Sequence, residues 1–201
     1  MKLIRMEQVR DSKYLKNYEL TYLNKAGKEK VYEIVSHRQL RGPDDLGASV
    51  SGLSIVAHRG DEMLLLREFR MGVNRYIYGL CAGMLEAGER VEACIARELY
   101  EETGLSVKRI EMILPPAFAA VSISDITNRI AFVEVEGELS CAHTSDNEDI
   151  RARFYSVEQL KHLLCTEAFS SRCQVAVFQF IREHGGFTED EIRETLDGFS
   201  Q

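Results

Sequence analysis

The sequence predicts an α+β fold, a mixed sheet with helices packed around it, and three observations carry that expectation. Stretches in which apolar residues recur at every second position outnumber those with helical period. One helical segment in the middle of the chain, residues 90–103, is bounded by glycines. The other helix formers gather after the last alternating stretch, towards the C-terminus.

Taken in order, residues 17–37 read as two alternating strands joined by a turn at Lys25-Ala26-Gly27-Lys28, a hairpin. The connector RGPDDLGAS is rich in turn formers. Beyond it, GLSIVAHRGDEMLLLREFR and RYIYGLCAG place β-branched and aromatic residues around an Arg-Gly-Asp turn, which suits at least three more strands. Residues 90–103 are dense in helix formers, with Gly88 and Glu89 ahead and Gly104 behind as the residue that closes the helix. Strands are expected again at VKRIEMIL and RIAFVEVEG, followed by the acidic loop CAHTSDNED and a strand at IRARFYS. Helices over residues 157–165 and 171–184 close the fold, and TEDEIRETLDG has the pattern of an N-capped terminal helix. The organisation expected is an N-terminal hairpin segment, residues 1–45, ahead of one larger domain, residues 46–201.

Composition removes several classes of function. The 201 residues carry 25 Lys+Arg against 32 Asp+Glu, a formal charge of −7, which disfavours a nucleic-acid surface built on phosphate neutralisation. A phosphate-bearing ligand would need cations to offset the repulsion. The first twenty residues lack the apolar core of a signal peptide, and no apolar run is long enough to cross a membrane, so a cytoplasmic chain without a membrane partner is expected. Cys81, Cys94, Cys141, Cys165 and Cys173 are odd in number and show no CxxC pair, so free thiols are expected rather than disulfides or a zinc site. His58, His143, His162 and His184 have no nucleophile constellation around them and read as surface or packing residues.

The chemistry concentrates in GMLEAGERVEACIARELYEETGL, residues 83–105. On a helix Glu98, Glu101 and Glu102 can project from one side, while Val91, Ile95 and Leu99 form a stripe for the core. Carboxylates held that close repel one another unless a cation neutralises them, and Mg²⁺ or Mn²⁺ suits such an oxygen cluster. Gly83, Glu89, Arg97, Glu98, Glu101, Glu102 and Gly104 fill every fixed position of the Nudix box, with apolar residues at Leu99 and Leu105. At roughly 6% usage per fixed residue, a chance match in a chain of this size is below about one in a million. The chain therefore resembles the Nudix hydrolase superfamily, whose fold is an α/β/α sandwich with a mixed sheet.

The resemblance implies that Glu98 and Glu102 bind metal, that Glu101 adds a ligand directly or through water, and that Arg97 pairs with Glu101 or Glu89 to hold the carboxylates. Gly83 and Gly104 are expected to permit tight conformations at the two ends of the box. The flank LLLREFRMGVNRYIYGLCAG resembles the ADP-ribose pyrophosphatase branch, in which the carbonyl at the Ala82 position binds metal and the arginine matching Arg70 touches substrate phosphates. Cys81 stands where many members have proline. Downstream, NEDIRARFYSVEQL resembles the segment whose glutamate binds metal or acts as base, which points to Glu148, with Asp149 and Asp146 as alternatives. Asn128 falls where the branch often has a substrate-contacting glutamate, and Phe118 lies beside the expected substrate loop.

By the same resemblance the N-terminal hairpin exchanges with a second copy to make a homodimer, with Arg38 or Arg41 reaching the partner's site. The expected reaction is Mg²⁺-dependent cleavage of the pyrophosphate bond of a nucleoside diphosphate sugar, ADP-ribose to AMP and ribose 5-phosphate. Two rivals stand beside it: hydrolysis of another diphosphate such as GDP-mannose or a dinucleotide, and a non-hydrolysing nucleotide-sugar sensor. A pure binder has no need of every box carboxylate, which weighs against the sensor.

Overall fold

The computed structural model describes residues 1–140, Ala142, Thr144 and 149–198, without the side chains of 194–198, and its fold is α+β as the sequence predicts. The strands before the central helix are β1 (Lys2–Asp11), β2 (Lys16–Leu23), β3 (Glu29–Ser36), β4 (Val50–Arg59), β5 (Glu62–Arg70), β6 (Arg75–Gly79) and β7 (Cys81–Met84). The helix α1 (Val91–Thr103) follows, then β8 (Ser106–Ile113), β9 (Ala117–Phe118), β10 (Thr127–Glu136) and β11 (Ile150–Ser156). The chain ends in α2 (Val157–Thr166), α3 (Ser171–Glu183) and α4 (Glu189–Gly198). Its contacts divide it into two units, Met1–Leu53 with Leu114–Ile130, and Ser54–Ile113 with Ala131–Gln201.

In the first unit the expected hairpin is present as β2 and β3, with register from Lys16↔Ser36 to Leu23↔Glu29. Its turn is held by Asn24, whose side-chain oxygen accepts from the Ala26 and Lys28 amides at 2.9 and 3.0 Å. It is not a hairpin alone. β1 adds a third antiparallel strand in the order β1-β2-β3, and Leu3 and Met6 from it pack on the buried cluster Tyr18, Leu20, Ile34 and Leu40. The Tyr18 hydroxyl accepts from the Leu40 amide at 2.7 Å, which ties the connector to this cluster. β9 pairs with the first residues of β10, Thr127 opposite Phe118 and Asn128 opposite Ala117.

In the second unit the sheet runs β11-β5-β4-β10-β8, with β6 on β5 and β7 on β4. β5 lies inside this order, and Met63, Leu64, Leu65 and Leu66 are all buried, so both faces of the strand are covered. A strand buried on both faces reads as an unbroken apolar run, which explains why MLLL does not alternate. α1 buries Cys94, Ile95 and Leu99, and Val91 is half-buried at its start. Gly104 closes α1 in the left-handed conformation, φ 73°, and its amide donates to the Tyr100 carbonyl at 2.8 Å. α2 begins with a capping box between Ser156 and Gln159, and Thr188 with Glu191 makes the equivalent pair at the start of α4.

Candidate active site

β7 carries the chain past the carboxylate face of α1. Gly83 has an ordinary extended backbone, so the expected tight turn is not its reason. Its reason is room: a Cβ built on Gly83 would fall inside the Glu98 carboxylate. A bare strand backbone is what lets a helix carboxylate press against it.

Arg97 fixes the acidic residues around it. Its Nε and Nη2 donate to the two oxygens of Glu89 at 2.9 and 3.0 Å, a fork on a carboxylate. Nη1 donates to Glu98 at 2.8 Å and to Glu101 at 3.3 Å, and Nη2 also reaches the Met84 carbonyl at 3.1 Å. The pairing expected with Glu89 or Glu101 is thus made with both. Arg97 holds the Glu89 carboxyl down to about 2, helped by the Glu86 amide that donates to it at 3.0 Å. Glu101 is half exposed and shares Arg97 Nη1 with the Glu98 carboxylate.

Glu98 and Glu102 are the enclosed pair. Burial pushes Glu98 up, and Arg97 opposes that shift. Glu102 is pushed up to about 7, first by burial and further by the charges of Glu98 and Glu68, although the Cys81 thiol and the Ala82 amide both donate to its carboxylate. The Ala82 amide sits 3.1 Å from the Glu102 oxygen. Cys81, standing where the branch often has proline, is fully buried with its thiol pushed well above the usual range, so it serves as a donor and not as a nucleophile.

A cavity of about 380 Å³ opens beside this pair, lined by Glu68, Phe69, Arg70, Met71, Gly72, Leu80, Ala82, Glu102, Asp149 and Ile150. Arg70, at the end of β5, stands in it as expected, with its Nε 2.9 Å from the Glu68 carboxylate. Asp149 also lines the cavity: its carboxylate accepts from the Tyr76 hydroxyl, and its carbonyl accepts from the Phe69 amide at 3.1 Å. Glu68 carries no signal in the box or its resemblance, and Tyr76, which as an aromatic reads as core, instead donates to Asp149. The alternation of β5 contained the signal for Glu68, since it lies two residues before Arg70 and so shares its face.

Ala82, Arg97, Glu98, Glu102 and Arg70 therefore come together in the second unit. Glu148 and Asp146 lie outside the described residues. Phe118 and Asn128 fall in the first unit, where the exposed Phe118 ring covers Gly47 so closely that a Cβ there would meet it at 2.6 Å.

The donors present fit a hard divalent cation. Two carboxylates, Glu98 and Glu102, are raised first by burial and then by neighbouring carboxylates, and a cation bound to them would offset both causes. Among the described residues no three His, Cys, Asp or Glu side chains converge to hold an ion alone. Two carboxylates completed by waters and substrate oxygens is the usual way a protein binds Mg²⁺.

An α+β fold whose central glycine-bounded helix offers clamped carboxylates to an arginine-bearing cavity is the layout of a hydrolase for phosphate compounds. The chain belongs to the NUDIX domain family, whose model matches residues 47–173, and it is a Nudix hydrolase. It is 28% identical over 162 residues to the ADP-ribose pyrophosphatase of Saccharomyces cerevisiae, covering 76% of this chain and 68% of that one. It is 27% identical over 132 residues to the ADP-sugar pyrophosphatase of Mus musculus, covering 66% of this chain and 60% of that one. A NAD-capped RNA hydrolase NudC of Pseudomonas aeruginosa is 44% identical over 59 residues, 29% of this chain and 20% of that one. Among solved structures, one titled "Crystal structure of ADP compounds hydrolase" superposes with a TM-score of 0.70 at 22% identity, covering 91% of this chain and 92% of that one, and shares the fold.

Proposed function

We propose that the chain hydrolyses the pyrophosphate bond of a nucleoside diphosphate sugar with Mg²⁺ or Mn²⁺, ADP-ribose giving AMP and ribose 5-phosphate. The observation that carries this reading is the single cavity onto which Glu102, Ala82 and Arg70 all open. The names of the yeast and mouse relatives support the substrate class.

In this reading Glu98, Glu102 and the Ala82 carbonyl hold the cation. Arg97 keeps Glu98 in position, and the Ala82 amide with the Cys81 thiol does the same for Glu102. Glu101 restrains Arg97 from the solvent side. Arg70 presents a planar fork of donors to the diphosphate, a geometry matched to phosphate oxygens. The attacking water gives its proton to Glu148 on the resemblance, with Asp149 as the alternative carboxylate that already lines the cavity. The bound cation supplies neutralisation of the phosphate charge and a more acidic water. Phe118 and Asn128 are assigned to substrate by the resemblance alone, as is the homodimer through the N-terminal strands.

The test is product analysis of the purified protein with ADP-ribose, ADP-glucose, GDP-mannose, NADH and diadenosine polyphosphates, each with Mg²⁺ and with EDTA. AMP released from ADP-ribose faster than any other product, and only with the metal, is the expected result. A faster reaction with another diphosphate would keep the hydrolase and overturn the substrate; no reaction with any of them would favour a nucleotide-sugar sensor.

A further inference from the structure

We propose that Glu68 is a positioning residue for Arg70, fixing the guanidinium so that its outer nitrogens face the diphosphate in the cavity. The inference rests on the reading of Arg70 as the phosphate anchor and adds a residue that neither the box nor its resemblance assigns.

The geometry is specific. On β5, Glu68 sits between two neighbouring strands, opposite Ile77 of β6 and Ile150 of β11, so its backbone is fixed on both sides. Its side chain is only 12% exposed, whereas that of Arg70 is 55% exposed. An exposed cation on the cavity rim is thus tied to a largely buried anion. The bond uses Arg70 Nε, at 2.9 Å. Arginine presents its donors as a rigid fork, so binding Nε on one side aims the two terminal nitrogens along one direction. Holding a long side chain in its bound rotamer before the ligand arrives removes an ordering cost that binding would otherwise carry.

The neighbouring strand is shaped for this carboxylate. Gly79 of β6 is paired with Leu66 and is therefore the diagonal neighbour of Glu68. A Cβ on Gly79 would meet Glu68 Oε1 at 2.9 Å, so the glycine makes the space into which the carboxylate leans. Two positions outside the box, Gly79 and Glu68, thereby serve the orientation of one arginine.

Reach and charge separate this role from a direct electrostatic one on Glu102 or on a bound cation. Glu68→Asp keeps the charge but is one methylene too short to reach Nε, whereas Glu68→Gln loses the charge and keeps an oxygen that accepts from Nε. Steady-state kinetics with ADP-ribose and Mg²⁺ would be run on both, on Arg70→Ala, and on the Glu68→Asp/Arg70→Ala double variant, with melting temperatures to verify folding. The expected pattern is a KM raised about tenfold in Glu68→Asp with kcat within about twofold, and a KM within about threefold of wild type in Glu68→Gln. In the Arg70→Ala background Glu68→Asp should add nothing, because the group it positions is gone. A near-normal Glu68→Asp beside a kcat-deficient Glu68→Gln would overturn the proposal in favour of a charge effect. Additive losses in the double variant would overturn it as well. An Arg70→Ala enzyme with unchanged KM would overturn the phosphate-anchor reading together with it, whereas a raised KM there with no effect of Glu68→Asp would remove this inference alone.

Discussion

At the scale of single residues, Glu102 and Glu89 show how one motif gives two carboxylates opposite properties. Glu89 takes a fork from Arg97 and a backbone amide, and its carboxyl falls to about 2. Glu102 is enclosed beside Glu98 and Glu68, and its carboxyl rises to about 7. The first holds its charge to strongly acid pH; the second is primed to accept a cation instead of a proton. In the absence of metal this has a measurable sign. The folded state binds more protons than the unfolded chain between the ordinary Glu value of 4.5 and about 7, so Glu102 makes stability fall as pH rises through that window. The cost at pH 8 is on the order of 3 kcal/mol, and Glu102→Gln should remove it, raising the urea midpoint of the metal-free protein at pH 8 while leaving it little changed at pH 4. If wild type and variant show the same slope between those limits, the burial of Glu102 is not acting as described. With metal present the same substitution should lower kcat by about 10³-fold or more with the fold intact, and a loss below about tenfold, roughly 1.4 kcal/mol of barrier, would count against Glu102 as a metal ligand.

At the scale of elements, the pairing of β7 with α1 is where sequence and structure agree in residues and differ in reason. The box named Arg97, Glu98 and Glu102, and in the structure Arg97 holds Glu98 while the Ala82 amide holds Glu102 at the cavity. Gly83 was legible as necessary but not as the floor under the Glu98 carboxylate, because that contact joins a strand to a helix fifteen residues later, which no local pattern encodes. Glu68 was legible as the residue two positions before Arg70 on the same face of β5. β1 was illegible for a physical cause: its register with β2 slips at Leu3/Arg5 and at Gln8/Arg10, and two bulges erase the period of two that announces a strand. The Gly83 contact makes its own prediction. Its backbone is one that alanine adopts without strain, so Gly83→Ala acts only by displacing the Glu98 carboxylate. We expect kcat with Mg²⁺ to fall about 10²-fold while unfolding free energy changes by less than about 1 kcal/mol. Full activity in that variant would show that the approach of β7 to Glu98 has no catalytic consequence.

At the scale of the whole molecule, a formal charge of −7 faces a substrate class that is itself anionic, so binding has to be local, through cations and Arg70, rather than through a broad field. For the N-terminal strands the resemblance implies a role in assembly. The bulges in β1 bear on how assembly would work. Bulged strands at a sheet edge pair poorly with a second edge, so a second copy would dock on exposed side chains more than on the unpaired backbone. Ile4 and Val9, the residues at the two slips, are 43% and 53% exposed, and neither belongs to the buried cluster of that unit. The prediction is that the chain sediments at twice its 22.9 kDa at micromolar concentration. Replacing Ile4 and Val9 together by glutamate should return it to a single chain without lowering its melting temperature, because the altered side chains are already in water. A wild-type chain that sediments as one copy at that concentration would remove the dimer, and Arg38 and Arg41 would then have no partner site to reach.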